Sequence, residues 1–298
     1  AVYDLCVATG VAPANVGVFT QANGQIEGIF GGNPDLSEET GDTYTLGVVL
    51  QPLDGLDITI DYFDITIEDS IDTLGGGVNG IIDICYNVKQ DLNSEECQGI
   101  TRRPDGNIDT VAALNANIGE LKTSGFDLSV NYVTDFDAGF FGEGSTLAIS
   151  LRSTFLDNFE ETPVVGLPGV NQCEGTWGDV CGEPRPEQQY NTRVTWLNGP
   201  LTVSMLWRHL SETDNDLIAN RGADRSTLSV PVVDSMNYVD LSFAYQFTDS
   251  FRMNLGFKNI FDELPTFIGD GQEQANTFPE TYSLFGPRVF LSGSYHWE

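Results

Sequence analysis

Residues 238–247 read Tyr238-Val239-Asp240-Leu241-Ser242-Phe243-Ala244-Tyr245-Gln246-Phe247, alternating large apolar side chains with small or polar ones. Strict period-two alternation is the mark of a strand whose two faces meet different surroundings. The pattern recurs along the chain. Tyr44, Leu46, Val48 and Leu50 share a face, as do Phe126, Leu128, Val130 and Tyr132, and Leu147, Ile149 and Leu151. Leu201, Val203, Met205 and Trp207 repeat it, followed by Met253, Leu255 and Phe257, and by Val289, Leu291, Tyr295 and Trp297. Helical periodicity is nearly absent.

The alternation predicts about nine strands, near 43–50, 56–68, 108–134, 145–156, 187–197, 200–210, 236–247, 251–260 and 284–297. Their connections alternate in length. Gln51–Gly55, Asp135–Gly144, Asn198–Gly199 and Thr248–Ser250 are short, whereas about 69–107, 157–186, 211–235 and 261–283 are long. A soluble sandwich has no reason to sort its turns this way. An outer-membrane barrel does, with short periplasmic turns and long extracellular loops. The expected fold is therefore all-β, part of a transmembrane antiparallel β-barrel.

The two faces agree with that reading. One is uniformly apolar, with Tyr44, Tyr132, Trp196, Trp207, Tyr245 and Trp297 near strand ends, where an interfacial girdle would lie. The other carries Arg152, Arg193, Arg208, Arg252, Lys258 and Arg288, which a barrel would turn to its lumen. A sandwich would simply expose these cations to solvent, so the cations alone do not discriminate. An open nine-stranded sheet in lipid would leave two unpaired edges, so more of the barrel is expected.

Composition bounds the function. The 298 residues carry 13 Lys and Arg against 44 Asp and Glu, a net charge of −31, which excludes a non-specific nucleic-acid binder. The apolar share of 40% is too high for an acidic disordered tail. Two histidines, His209 and His296, leave little for histidine-centred catalysis or metal binding, and no catalytic or metal site is expected. No cofactor is implied. Five cysteines in polar surroundings favour disulfides and an oxidising compartment. Cys85 and Cys97 bracket one segment of a long connection, and Cys173 and Cys181 another, so two local disulfides are expected. A zinc cluster is the rival, but it lacks histidine partners and close Cys-x-x-Cys spacing.

Four stretches carry a family resemblance. They are Gly31-Gly32-Asn33-Pro34-Asp35-Leu36-Ser37-Glu38-Glu39-Thr40 with Asp42 to Gly47, and Asn115, Gly119 and Gly125-Phe126-Asp127-Leu128. Lys258-Asn259-Ile260-Phe261-Asp262 and the closing Gly286-Pro287-Arg288-Val289-Phe290-Leu291 to Tyr295-His296-Trp297 complete the set. In this order they resemble TonB-dependent outer-membrane receptors of Gram-negative bacteria, whose barrels have about 22 strands around a plug domain. The resemblance implies that residues 43–298 are the C-terminal part of such a barrel, with 1–42 as the extracellular loop segment before it. It implies import of a scarce nutrient such as an iron–siderophore or an oligosaccharide. The implied partners are the N-terminal barrel part and plug of the same receptor, TonB through the plug, outer-membrane lipid and lipopolysaccharide, and the small-molecule nutrient. The resemblance also implies that Cys6 pairs upstream of Ala1, with a free thiol as the alternative, and that the lumen cations meet the plug.

The remaining candidates are local. Phe159, Trp177, Phe267 and Phe278 are loop aromatics suited to ligand recognition and equally to packing. Gly75-Gly76-Gly77-Val78-Asn79-Gly80 satisfies a dinucleotide-binding pattern without its βαβ setting and reads as a flexible loop. Asp214-Asn215-Asp216, or Asp270 and Glu273, could bind calcium, but solvated loop acid fits better. A barrel serving only as a surface anchor, and a secreted β-sandwich hydrolase, are the competing functions. The hydrolase would need a pair of catalytic carboxylates that the sequence does not single out.

Overall fold

Alternation along a strand becomes chemistry across a sheet once neighbouring strands are in register, because directly paired residues share a face. The computed structural model describes residues 2–18, 20–21, 25–142, 144–162, 169–178, 181–269 and 276–297. Its strands are β1 (Glu27–Gly31), β2 (Thr40–Leu53), β3 (Leu56–Thr73), β4 (Ile100–Arg102), β5 (Ile108–Phe136), β6 (Ser145–Thr162), β7 (Asn171–Gln172) and β8 (Thr176–Trp177). They continue as β9 (Gln188–Asn198), β10 (Leu201–Leu210), β11 (Thr213–Asn215), β12 (Val232–Val233), β13 (Met236–Thr248), β14 (Phe251–Lys258) and β15 (Arg288–Tyr295). The short helices are α1 (Val2–Ala8), α2 (Val78–Asp83), α3 (Glu95–Gln98) and α4 (Asp216–Arg221). β2, β3, β5 and β6 divide between two compact units, one of Ala1–Asp42, Ile65–Lys122 and Glu160–Asn171, the other of Thr43–Asp64, Thr123–Phe159 and Gln172–Glu298.

The second unit is dominated by one sheet, in which the nine long strands follow the order β15-β14-β13-β10-β9-β6-β5-β3-β2. Each strand lies beside its sequence neighbour among the nine, as in an up-and-down barrel wall. β2 and β15 end this order, with no strand beyond either among the described residues. The nine strands coincide with the predicted ones, with ends within three residues except that β3 and β6 run five and six residues further and β15 begins four residues later.

Register places the apolar side chains in continuous rows. One row is Ile149, Val194, Met205, Leu241, Phe257 and Val289. The next is Leu147, Trp196, Val203, Phe243, Leu255 and Leu291. No charged residue interrupts either row across six strands. Aromatic clusters bound them at both ends. At the long-connection end, Tyr190 stacks on Trp207 (6.2 Å) and His209 (5.4 Å), with Phe155 edge-on to Tyr190 at 5.6 Å. Asn237 accepts from the Trp207 indole at 3.1 Å, and its Oδ1 lies 3.0 Å from His209 Nδ1. At the short-turn end, Phe140 meets Trp196, Phe141 meets Tyr245, and Tyr295 meets Trp297, at 5.9, 5.7 and 5.0 Å. From Tyr190 to Trp196 on β9 is about 20 Å along the strand, close to the roughly 25 Å lipid-facing band of outer-membrane barrels.

The short turns are built for tightness. Gly55 and Gly199 take positive φ (78° and 52°), which a side chain would resist. Asn198 is buried and organises the longest of them. Its Oδ1 accepts from the Phe140 and Phe141 amides, each at 2.7 Å, and its Nδ2 donates to the Gly144 carbonyl at 2.8 Å.

The first unit departs from the loop expected over 1–42. It contains α1, and β1 pairs in parallel with β5 from Glu27↔Thr110 to Gly31↔Leu114. Leu5, Leu74, Ile81, Cys85, Tyr86, Ile100 and Val111 are among the residues of its own small core. The Gly75–Gly80 stretch is likewise not a flexible loop. Gly75, Gly76 and Gly77 take φ of 62°, 70° and 109° and turn the chain from β3 into α2, whose Ile81 is fully buried. A Cβ at Gly80 would collide with the Gly75 carbonyl oxygen.

Asn198→Ala should cost about 2–3 kcal/mol, since it strands two amides and one carbonyl in a closed turn. Urea unfolding in detergent, with proteolysis within 137–144 as a second readout, checks this. An unchanged unfolding midpoint would contradict the account.

Candidate ligand-facing surface

The face opposite the apolar rows is polar and largely cross-linked. Between β5 and β6, Thr154, Ser150 and Thr146 donate to Asp127 (2.6 Å), Asn131 (2.8 Å) and Asp135 (2.6 Å), three rungs at matching four-residue spacing. Asp61, Asp127, Arg152 and Asn191 line a shallow depression beside these rungs.

All six cations singled out from the sequence share this face. Arg152 pairs in register with Asn191, which pairs with Arg208, and Leu206 pairs with both Arg193 and Asp240. Lys258 stands directly across from Arg288, and Arg252 across from Gln246 and Ser294. Arg208 donates to Asp240 at 3.3 Å and lies 5.2 Å above the Tyr238 ring. Arg193 donates to Ser204 Oγ at 3.2 Å. Lys258 approaches the Phe290 ring (6.0 Å) and Arg288 the Phe285 ring (4.8 Å). Among the described residues, Arg208 is the one of the six in an ion pair.

The Lys258-Asn259-Ile260-Phe261-Asp262 stretch closes the long-connection end of β14. Asn259 is buried with φ of 51° and donates its amide to Asp240 Oδ1 at 2.9 Å. Its side chain donates to the Glu263 (2.8 Å) and Phe285 (3.1 Å) carbonyls and accepts from the Glu263 amide at 2.9 Å. One residue thus reverses the chain and ties the outgoing connection to its return.

The described parts of the long connections carry their own packed structure. In the first unit Cys85 and Cys97 are joined, Cα atoms 4.9 Å apart, and buried Glu96 pairs with Lys89 at 2.7 Å. Arg102 donates to Tyr86 Oη (2.9 Å) and to the Gly106 carbonyl (2.7 Å), and Tyr86 donates to Thr9 Oγ1 (2.9 Å). Cys6 is partly buried against this core and forms no disulfide among the described residues. In the second unit Cys173 and Cys181 are joined, Cα atoms 5.4 Å apart, beside a small sheet of β12, β11 and β8. Chain-entropy arguments give each bridge about 2.5–3 kcal/mol for loops of this length. Buried Asp216, at the start of α4, accepts from the Cys181 amide at 2.9 Å.

Two of the four loop aromatics take the packing alternative. Trp177 (3% exposed) and Phe278 (1%) face each other at 5.6 Å inside a core with Val233, Met236, Tyr238 and Tyr282, and cannot touch a ligand. Phe159 lies under the Arg185 guanidinium at 4.2 Å, while Phe267 is 73% exposed. The structure therefore does not gather the four into one site. Asp214 pairs with Arg225, Asn215 caps α4 by accepting from Leu217 N at 3.1 Å, and Asp216 is engaged as above. Among the described residues no cluster of three metal-ligating side chains occurs, and Asp270 and Glu273 lie outside the described residues.

Residues 7–260 match the family described as TonB dependent receptor-like, beta-barrel. The chain belongs to this family. Its members are transporters of the Gram-negative outer membrane, not enzymes. Among solved structures, the fold resembles the ferric enterobactin receptor PfeA of Pseudomonas aeruginosa in complex with enterobactin, with TM-score 0.56 and 14% identity over 89% of this chain and 32% of that one. It also resembles the siderophore receptor PirA of Acinetobacter baumannii, with TM-score 0.52 and 17% identity over 89% and 33%. The FrpB iron transporter of Neisseria meningitidis is similar as well, with TM-score 0.51 and 14% identity over 90% and 33%. The chain spans about a third of the length of these receptors. No curated protein sequence matches it.

Burial pushes the Tyr282 phenol up to about 12 from an ordinary value of 10.0. The folded state therefore holds a proton that the unfolded chain releases, and stability present below pH 10 is lost as pH rises towards 12. Ultraviolet titration should find a late-ionising phenol that is lost in Tyr282→Phe. Ionisation of Tyr282 together with the exposed tyrosines would contradict its burial.

Proposed function

We propose that this chain forms part of the wall and the ligand-facing loops of a receptor that binds a scarce nutrient outside the cell and imports it across the outer membrane with energy delivered through TonB. In this reading the apolar rows face lipid, the polar face lines the lumen, the short turns are periplasmic and the long connections are extracellular. The observation that carries it is the two-faced sheet, with charge-free apolar rows on one side and hydroxyl rungs to Asp127, Asn131 and Asp135 together with cations on the other, in a chain of this family.

The nutrient we favour is a ferric siderophore, since the receptors of similar fold are named for ferric enterobactin, siderophore or iron transport. The folded loops would supply part of the binding surface, with Phe267 as an accessible aromatic. Cys6 would pair with a cysteine upstream of Ala1. The N-terminal barrel part and the plug of the same receptor would complete the channel, and the plug would engage TonB. Outer-membrane lipid and lipopolysaccharide would surround the apolar rows.

Deleting the gene should abolish uptake of radio-iron supplied as a ferric siderophore, to the same extent as deleting tonB. Reintroducing the gene should restore uptake in the tonB-positive strain alone. Unchanged uptake of the siderophores that the organism uses, with lost uptake of an oligosaccharide, would move the substrate class. Unchanged uptake of every nutrient, with altered envelope integrity, would favour the anchoring role.

A further inference from the structure

Lys258 and Arg288 occupy directly opposed positions on β14 and β15, on the polar face. Like charges in this relation repel and destabilise a sheet. The chain has 44 acids to neutralise 13 cations, yet neither side chain forms an ion pair among the described residues. The neighbouring acid is committed elsewhere, because Asp240 accepts from Arg208 at 3.3 Å and from the Asn259 amide at 2.9 Å.

Lys89, Arg103, Lys122 and Arg225 each pair with an acid elsewhere in the chain, and among the unpaired cations of the polar face Lys258 and Arg288 are the two that stand directly opposite each other. Leaving two adjacent cations unpaired in so acidic a protein maintains a local positive potential that an oxyanion would neutralise. Two exposed rings hold the cations in place. Arg288 lies 4.8 Å from the Phe285 ring and Lys258 6.0 Å from the Phe290 ring. Phe290 itself is seated over Gly256, where a Cβ would strike the ring, so the floor of the patch is fixed by a glycine.

We propose that Lys258 and Arg288, framed by Phe285 and Phe290, form an oxyanion site on the polar face of the sheet, suited to a carboxylate or phosphate that bridges both cations. The inference rests on the reading of this face as lumen wall and is independent of uptake. The oxyanion belongs either to a free ligand entering the lumen or to a carboxylate elsewhere in the same receptor.

The test compares the detergent-solubilised receptor with Lys258→Gln, Arg288→Gln, the double variant, and Arg252→Gln as a same-face control. Inorganic phosphate and citrate are titrated calorimetrically at low salt, and thermal unfolding is recorded for each protein. A free-ligand site predicts binding that weakens at least tenfold in either single variant, vanishes in the double, and is kept within twofold by Arg252→Gln. An anion supplied by the receptor itself predicts no added binding, but a lower unfolding temperature in the double variant and not in Arg252→Gln. Two unoccupied repelling cations would give the opposite, an unchanged or raised unfolding temperature. That result without phosphate or citrate binding overturns the proposal, as does binding that is equal in all the proteins. A receptor that binds phosphate here but imports nothing would refute the uptake reading and leave this site standing.

Discussion

Hydrocarbon solvates neither a charge nor an unpaired peptide group, and most features of this chain follow from that constraint. It requires that every backbone donor and acceptor in the lipid be paired along strands. It also requires that the side chains meeting lipid be apolar without exception. The rows from Ile149 to Val289 and from Leu147 to Leu291 meet the second requirement across six strands. Cations and the hydroxyl rungs to Asp127, Asn131 and Asp135 are confined to the other face as a consequence. Trp207 and Tyr190 at one end and Trp196 and Tyr245 at the other mark where water returns, since their rings are apolar and their N–H or O–H groups seek a partner.

Outside the lipid the constraint lifts and a different economy takes over. The connections cannot draw on a wide sheet, so each unit builds a small core and staples it. Cys85–Cys97 lies within one such core, and Cys173–Cys181 stands beside a core of Trp177, Phe278 and Tyr282. Asn259 and Asn198 play matching parts at the two ends of the sheet. Both are buried, and both spend their whole amide on closing backbone groups that a tight reversal would otherwise leave open.

Those two regimes explain what could be read from the sequence. The nine long strands were legible because two solvents impose a two-residue period, and in Tyr238–Phe247 that period is unbroken. The cations followed from the same parity, since Arg193 and Arg208 fall out of phase with Trp196 and Trp207. The loop interiors were not legible. β8, β11 and β12 are too short to display a period, and the burial of Trp177 depends on Val233, Met236 and Phe278, which are distant in sequence. The glycines at 75–77 look like slack in one dimension. Their positive φ values instead form a fixed turn leading to the buried Ile81. Pairing of Lys258 with Arg288 likewise needed the register, because the connection 259–287 separates two strands that lie side by side.

The central claim is that alternate residues of one strand meet lipid and water. Nitroxide labels placed singly at 239 through 246 in the membrane-reconstituted receptor test it directly, by collision with oxygen and with a water-soluble nickel complex. The account predicts oxygen-rich contact at 239, 241, 243 and 245 and nickel contact at 240, 242, 244 and 246. Accessibility without alternation, or alternation in the opposite phase, would contradict it.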